Sequence, residues 1–183
     1  MRRGFPKAYP GMTIGLFGGS FDPAHAGHAH VAETALKRLG LDKVWWMVTP
    51  QNPLKPASSP LAARVRSAEH YARGNKMVVT ALEAALGCRY TYQTLRKLRQ
   101  LYPGVHFILV MGADNLDNFK KWRNWREVAQ SIPVAIISRP LAGPRTHAKI
   151  LKDWIYLPAR LHRENSTALR PRGPRPVAKA QPK

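Results

Sequence analysis

The sequence predicts a single α/β domain built on a doubly wound parallel sheet. Short apolar runs alternate along the chain with longer segments whose apolar residues recur at helical spacing, which is the order of strands and helices in such folds. The run at residues 105–111 (VHFILVM) is apolar almost throughout, as is typical of a strand covered on both faces. The run at residues 13–17 ends at glycines and precedes a helical pattern, so the chain opens with a strand–loop–helix unit.

Each predicted element has its own pattern. The strands are short apolar runs that end at glycine, proline or polar residues, and they fall at residues 13–17 (TIGLF), 44–48 (VWWMV), 77–80 (MVVT), 105–111, 134–137 (VAII) and 154–157 (WIYL). The helices carry apolar residues on one face and are predicted at residues 27–39, 61–73 and 91–101, and in the polar segment that contains Trp122 and Trp125. Gly40 can end the first helix, and four prolines between residues 50 and 60 mark a loop.

Composition and charge limit the partners of the protein. The 30 Lys and Arg residues against 10 Asp and Glu give a formal net charge of +20, which indicates a negatively charged partner such as a nucleotide, a phosphorylated metabolite, a nucleic acid or an acidic membrane. Cys88 is the single cysteine, which excludes an internal disulfide and favours a reducing compartment. No run is long enough to cross a membrane or act as a secretory signal, and we therefore expect a cytoplasmic protein.

The ends of the chain differ from its middle. Residues 1–11 are predicted to be an N-terminal extension and residues 12–170 the folded domain. Residues 171–183 (PRGPRPVAKAQPK) are basic, rich in proline and without periodicity, which predicts a disordered tail. Because this tail contains no acidic residue, weak and salt-sensitive binding to polyanions is expected of it.

The loop after the first strand, GGSFDPAHAGH (18–28), concentrates the residues that phosphate chemistry needs. The adjacent glycines let the backbone pass close to a ligand and take positive φ where needed, and the Asp-Pro step fixes a turn. His25 and His28 stand three residues apart at the start of the predicted helix, on the same side. A helix N-terminus offers N–H groups and partial positive charge, so the pattern favours a phosphate site in which both imidazoles donate hydrogen bonds.

Two other interpretations of the histidine pair stay open on residue patterns alone. A zinc site is one, although only two histidines are local and the sequence has no Cys pair. A packing loop with incidental histidines is the other. The loop is neither a Walker A sequence nor a dinucleotide-binding GxGxxG sequence.

The loop resembles the nucleotide-binding loop of the HxGH nucleotidyltransferase superfamily, whose motif is His25-Ala26-Gly27-His28 in this chain. Later segments resemble one branch of it, the bacterial nicotinate-nucleotide adenylyltransferases: VWWMVTPQNPLKP, RYTYQTL, VMGADNL with a following KW, ISRP and NSTALR. The resemblance runs from about residue 13 to residue 170. It implies a Rossmann-like fold and adenylyl transfer from ATP to nicotinate mononucleotide, a step of NAD biosynthesis that releases pyrophosphate.

The resemblance also implies roles for individual residues. His28 and His25 are the implied catalytic residues, which hold the ATP phosphates. The implied ATP site further contains Gly18, Gly19, Ser20, Phe21, Ser166, Thr167 and Arg170. The implied acceptor site contains Lys55, Tyr90, Thr91, Asp114, Trp122 and Arg139. Magnesium is expected to arrive with ATP and to bridge phosphate oxygens, with no metal ligand assigned to the protein.

Several of these residues have a structural alternative. Trp122 can be a core anchor, Thr91 an N-cap, Asp114 a cap of the next helix, and Arg139 a solvated surface charge. Trp45 and Trp46 are assigned to packing. The chain departs from the family pattern mildly at Asn165 and Leu169, and more strongly after Arg170, where the basic tail stands in place of a helical segment.

Two alternative functions stay open. Adenylyl transfer to phosphopantetheine uses the same HxGH loop, but the segments NPLKP, RYTYQTL and ISRP fit it poorly. A basic nucleic-acid-binding module would explain the charge and the tail, although no recognised nucleic-acid motif is present. The sequence leaves open the choice between nicotinate and nicotinamide mononucleotide, and it leaves open the oligomeric state.

Overall fold

The computed structural model describes residues 5–54, 58–138 and 154–158. In these ranges six strands form one sheet in the order β3-β2-β1-β4-β5-β6, and every neighbouring pair is parallel. The strands are β1 (Thr13–Gly19), β2 (Lys43–Val48), β3 (Met77–Thr80), β4 (His106–Gly112), β5 (Val134–Ser138) and β6 (Ile155–Pro158). The predicted doubly wound, Rossmann-like parallel sheet is confirmed.

Helices and one 3₁₀ turn connect the strands. The helices are α1 (Ala26–Arg38), α2 (Leu61–Tyr71), α3 (Leu82–Ala85), α4 (Thr91–Leu101), α5 (Leu116–Phe119) and α6 (Trp125–Ser131), and the 3₁₀ turn is Ala113–Asn115. Helix α3 was not predicted, because four residues are too few to show a helical period. The prediction of a helix at Trp122 is wrong, since Trp122 lies in the turn between α5 and α6. Asn124 ends that turn in the left-handed conformation (φ 53°), which separates the two helices.

The strand order places a topological switch point between β1 and β4, at the centre of the sheet. Strand β1 pairs with both β2 and β4, and the chain builds β2 and β3 on one side of β1 before it builds β4, β5 and β6 on the other. The connections therefore diverge at the carboxyl ends of β1 and β4. Ligands of doubly wound folds bind at this switch point.

Two apolar layers cover the faces of the sheet. Helices α1 and α2 bury Ala32, Ala35 and Ala68 against one face, and α4 buries Leu95 and Leu98 against the other. Trp45 and Trp46 are successive residues of β2 and are fully buried in different layers, since side chains alternate across a strand. The assignment of both tryptophans to packing is confirmed. Of the helices in the described ranges, none is long and apolar enough to cross a membrane.

Residues 5–11 lie against the domain. Phe5 packs against the core layer that contains Leu95. The hydroxyl of Tyr102 donates a hydrogen bond to the carbonyl of Pro6 (2.9 Å), and the N–H of Gly11 donates to the carbonyl of Gly104 (2.8 Å). These bonds attach this segment to the end of α4 and the following turn.

Candidate functional site

The phenyl ring of Phe21 packs back against the end of β1 and shapes the loop between β1 and α1. A Cβ on Gly19 would lie 3.0 Å from Cζ of Phe21, so glycine permits the close approach of that buried ring. Positive φ is adopted by Phe21 (47°), whereas neither Gly18 nor Gly19 adopts it. Gly19 thus serves close packing, whereas a Cβ on Gly18 would lie an ordinary 3.9 Å from Cε of Met47. The left-handed backbone of this loop occurs at Phe21.

His25 and His28 come together at the N-terminus of α1. His25 is the N-cap residue in an extended conformation and is 6% exposed. The two ring centroids are 3.8 Å apart, and the rings of Phe17 and Phe21 lie 6.2 and 5.0 Å from the ring of His28. The predicted placement of both imidazoles on one side of a helix start is what the structure shows.

A backbone hydrogen bond orients the second histidine. The N–H of His25 donates to Nδ1 of His28 over 3.2 Å. Because Nδ1 accepts this bond, the neutral imidazole must carry its hydrogen on Nε2. The fold therefore selects the tautomer in which Nε2 is a donor.

The hydroxyl of Ser20 adds a polar group to the same loop. Ser20 is 6% exposed, and within the described residues its Oγ atom has no hydrogen-bond partner. A buried hydroxyl without a partner is costly, which suits a position that a polar ligand completes. The N-terminus of α1 brings partial positive charge to the same place.

Gly112 ends β4 at the neighbouring strand end, and Asp114 lies in the turn that follows. A Cβ on Gly112 would lie 2.6 Å from Oδ1 of Asp114, so the carboxylate folds over the glycine and needs the absence of a side chain there. Asp114 sits in the 3₁₀ turn, and the N-cap of α5 is Asn115. The capping alternative for Asp114 is therefore wrong, and the carboxylate is exposed beside the switch point.

Tyr90 and Thr91 stand at the start of α4. The N-cap residue is Tyr90 and α4 begins at Thr91, so the alternative in which Thr91 caps the helix is wrong. Oε1 of Gln93 accepts bonds from the N–H groups of Arg89 (3.0 Å) and Tyr90 (3.1 Å). This side chain fixes the entry of the chain into the helix.

Trp122 belongs to an aromatic cluster but is not enclosed by it. Its ring lies 5.3 Å from the ring of Phe119, and Phe119 also contacts Trp125 and Trp154. Trp122 is half-buried, whereas Phe119 is fully buried. The core-anchor interpretation accounts for one side of the indole, and the exposed part leaves area on which a planar group can stack. The other implied site residues, Lys55, Arg139, Ser166, Thr167 and Arg170, lie outside the described residues.

Sequence reasoning missed the buried Arg64 of α2. Its guanidinium is 3% exposed and donates to four carbonyl oxygens in the loops at the carboxyl ends of β1 and β2, those of Ser20, Thr49, Pro50 and Ser59. Burial lowers the pKa of Arg64, and the charge of Asp22 partly offsets this shift. The sequence did contain a signal of this burial. Arg64 lies on the helix face that also carries Leu61, Val65 and Ala68 and that is otherwise apolar.

A buried acid, Glu83, was also missed. Glu83 in α3 is 6% exposed and Thr94 in α4 is fully buried, and Oγ1 of Thr94 donates to Oε1 of Glu83 over 3.1 Å. Burial raises the pKa of Glu83, while hydrogen bonds from the side chains of Thr49 and Thr94 act in the opposite direction. The missed α3 explains the missed acid, since its burial depends on that short helix.

The site can bind anions and orient a hydrogen-bond donor toward them. The two imidazoles, the Ser20 hydroxyl and the N-terminus of α1 converge on one loop, and the turn after β4 lies across the switch point. Throughout the described ranges, no three His, Cys, Asp or Glu side chains converge as a protein metal site requires. The zinc alternative for the histidine pair therefore has no third ligand in this part of the chain.

Comparison with known proteins places most of the chain in one protein family. Residues 16–171 match the family described as cytidylyltransferase-like. The chain is 53% identical to a Roseobacter denitrificans protein named "Probable nicotinate-nucleotide adenylyltransferase", over 82% of this chain and 75% of that protein. It is 49% identical to a protein of the same name from a Caulobacter species, over 88% of this chain and 98% of that protein.

The fold is also similar to solved structures. Plasmodium falciparum nicotinic acid mononucleotide adenylyltransferase complexed with NaAD superposes with a TM-score of 0.68, over 84% of this chain and 77% of that chain. The same enzyme complexed with APC gives a TM-score of 0.67 over the same shares. Sequence identities of 18% and 19% restrict this likeness to the fold.

Proposed function

The chain belongs to the nicotinate-nucleotide adenylyltransferase branch of the cytidylyltransferase-like family, and we propose that it transfers the adenylyl group of ATP to nicotinate mononucleotide. The products are nicotinate adenine dinucleotide and pyrophosphate, in a step of NAD biosynthesis. The single observation that supports this most is the close pair of His25 and His28 imidazoles at the N-terminus of α1. Two donors and a helix start on one loop suit a polyphosphate better than any neutral ligand.

The reaction needs no nucleophile from the protein. The 5′-phosphate of the acceptor attacks the α-phosphorus of ATP, the bond to the β-phosphate oxygen breaks, and pyrophosphate leaves with that electron pair. Catalysis then consists of positioning the two phosphates in line and stabilising the charge that develops on the transferring group.

His28 is the donor that we assign to the α-phosphate. Its Nδ1 accepts the backbone N–H of His25, so Nε2–H points a hydrogen-bond donor away from the helix backbone. A donor fixed before substrate arrives needs no reorganisation in the transition state. His25, nearly fully buried beside it, is assigned to the neighbouring phosphate oxygens.

The remaining ATP contacts surround the same loop. The Ser20 hydroxyl has no hydrogen-bond partner among the described residues and lines the phosphates in this proposal, together with the backbone of Gly18, Gly19 and Phe21. Ser166, Thr167 and Arg170 hold the triphosphate from the far side, an assignment that rests on the NSTALR segment of the sequence. Mg²⁺ bound to the substrate ATP would shield the negative charge of the phosphates.

The acceptor is assigned to the other side of the switch point. Tyr90 and Thr91 at the start of α4, together with Asp114, bind the nucleotide, and the half-exposed Trp122 stacks on the pyridine ring. Lys55 and Arg139 complete this side by charge attraction to the acceptor phosphate and carboxylate.

Cytoplasmic location belongs to the same proposal, because Cys88 is a buried free thiol.

An acceptor comparison tests the function. Pyrophosphate release is measured with MgATP and, in separate reactions, nicotinate mononucleotide, nicotinamide mononucleotide and phosphopantetheine. We expect the highest kcat/KM with nicotinate mononucleotide. Turnover with phosphopantetheine alone would favour the alternative adenylyltransferase, and no turnover with any acceptor would overturn the proposal.

We also propose weak polyanion binding by residues 171–183. Support comes from the sequence, in which Arg172, Arg175, Lys179 and Lys183 occur without an acidic residue. Deletion of residues 171–183 should weaken retention on heparin at low salt and leave adenylyl transfer intact. Unchanged retention after the deletion would refute this role.

A further inference from the structure

We propose that four buried or half-buried side chains, Arg64, Thr49, Glu83 and Thr94, form a polar bridge that positions the nucleotide loop relative to the start of α4. The bridge runs from the carbonyl of Ser20 to the carbonyl of Tyr90. It makes Arg64 and Glu83 positioning residues for the transfer reaction. This inference rests on the proposed function, which assigns ATP to the loop and the acceptor to α4.

The first half of the bridge is the guanidinium of Arg64. Nη1 donates to the carbonyl of Ser20 over 2.8 Å and to the carbonyl of Thr49 over 2.7 Å. Nη2 donates to the carbonyl of Pro50 over 2.6 Å, and Nε donates to the carbonyl of Ser59 over 2.8 Å. A planar group with donors on three nitrogens can satisfy these acceptors together, whereas a lysine ammonium cannot reach all four from one position.

The two halves meet at Thr49, the residue after β2. Its carbonyl accepts from Arg64, and its side chain lies beside the carboxyl group of Glu83 and acts to lower the pKa of that group. Its N–H donates to the carbonyl of Gly19 over 2.9 Å, at the end of β1. Thr49 is therefore tied at once to the nucleotide loop, to α2 and to α3.

The second half reaches the acceptor side. Oγ1 of Thr94 lies 3.1 Å from Oε1 of Glu83 and 3.4 Å from the carbonyl of Tyr90. Tyr90 is the N-cap residue of α4, so the Thr94 hydroxyl, which donates to Glu83, also lies against the residue that opens the acceptor helix. Thr94 has no exposed surface, and no water can replace its bond without repacking.

The composition of the bridge argues for positioning rather than for stability alone. Burying a guanidinium and a carboxyl group costs free energy that apolar side chains of similar volume would not incur. In return, hydrogen bonds fix direction and distance, which apolar contacts do not. Thr49 directly follows β2, and the other three residues lie in helices that follow β2 and β3, where precision of placement affects the reaction.

The test begins with Arg64→Lys and its matched control Arg66→Lys. Arg66 lies on the same helix but is exposed. At a temperature where circular dichroism shows both variants folded, we expect Arg64→Lys to lower kcat about tenfold or more and to raise the KM for ATP more than the KM for the acceptor. Arg66→Lys should match the wild type. Wild-type kinetics for Arg64→Lys would overturn the inference.

The second arm uses Thr94→Val, which keeps shape and removes the hydroxyl, and Thr94→Ser, which keeps the hydroxyl. We expect Thr94→Val to lower kcat and to raise the acceptor KM more than the KM for ATP, and Thr94→Ser to restore both. The double variant Arg64→Lys/Thr94→Val should lose at least about threefold less than the product of the single losses, because both changes break one bridge.

The outcomes separate the two proposals. If the wild type and Arg66→Lys release no pyrophosphate from ATP and nicotinate mononucleotide, the proposed function fails. If they are active but the two losses multiply, or if Thr94→Ser is as impaired as Thr94→Val, the bridge fails. If Arg64→Lys does not fold, the Thr94 pair alone decides, because a purely structural hydroxyl would lower the Tm without changing the KM ratio.

Discussion

Replacing His28 by asparagine separates two roles of this imidazole, the structural role of Nδ1 and the proposed catalytic role of Nε2. One nitrogen, Nδ1, accepts the backbone N–H of His25 over 3.2 Å, and the other, Nε2, is the proposed donor to the α-phosphate. An asparagine amide reaches about as far as Nδ1, so its oxygen can still accept the backbone N–H. It does not reach the position of Nε2. His28→Asn therefore keeps the helix start and removes the donor.

The expected magnitudes differ for the two roles. Loss of a preorganised donor to the transition state should lower kcat by about 10²–10³, equivalent to roughly 2.7–4 kcal/mol. Loss of the bond to the backbone of His25 should cost about 1 kcal/mol of unfolding free energy, or about 2–4 °C in Tm for a chain of this size. His28→Ala should show both losses, and His28→Asn should show only the first.

Two assays and one control variant measure the loss of turnover and the loss of stability separately. Pyrophosphate release at saturating MgATP and nicotinate mononucleotide gives kcat, and circular dichroism gives Tm. His70→Asn, at an exposed histidine of α2, should leave both unchanged. Near wild-type turnover of His28→Asn together with slow turnover of His28→Ala would show that the helix start matters and the donor does not. That result would refute the role assigned to Nε2.

Three further predictions follow from single contacts. Gly112→Ala should raise the KM for nicotinate mononucleotide several-fold while changing Tm little, since its Cβ would lie 2.6 Å from Oδ1 of the exposed Asp114. An acceptor KM equal to that of the wild type would count against the role of Asp114 in acceptor binding. Trp122→Ala should raise the acceptor KM and leave ATP binding nearly intact, whereas equal losses for both substrates would contradict stacking. Burial raises the pKa of Glu83 above 4.5, so the carboxyl group stabilises the fold below about pH 4.5 and this contribution is lost as pH rises through the raised pKa. The Tm of the wild type relative to Glu83→Gln should therefore fall across that window, and parallel Tm profiles would refute the shift.

The histidine loop was predictable because its signal is local. A strand, two glycines, an Asp-Pro step and two histidines at i and i+3 fall within one short segment, and the helix that follows fixes their side. The six-strand sheet was predictable for a similar reason, since each strand is a compact apolar run. The parallel order around β1 then follows from the connections between strands.

The buried polar residues were not predictable in the same way. Arg64 looks like a surface charge in α2 until the loops after β1 and β2 are folded around it, and only its place on the face of Leu61, Val65 and Ala68 hints at burial. The positive φ of Phe21 depends on the ring packing against Gly19, a contact within the folded loop rather than a property of glycine. Such features come from tertiary packing, which overrides local preference.

The identity of the reaction product tests the assignment most directly. The protein is incubated with MgATP and nicotinate mononucleotide. The products are separated by chromatography and identified by mass spectrometry. Adenylyl transfer predicts nicotinate adenine dinucleotide and pyrophosphate in equal amounts, with no ADP, and predicts that His28→Asn forms the same products at a rate about 10²-fold lower. Formation of ADP, or consumption of ATP without any dinucleotide, would contradict the proposed attack on the α-phosphorus.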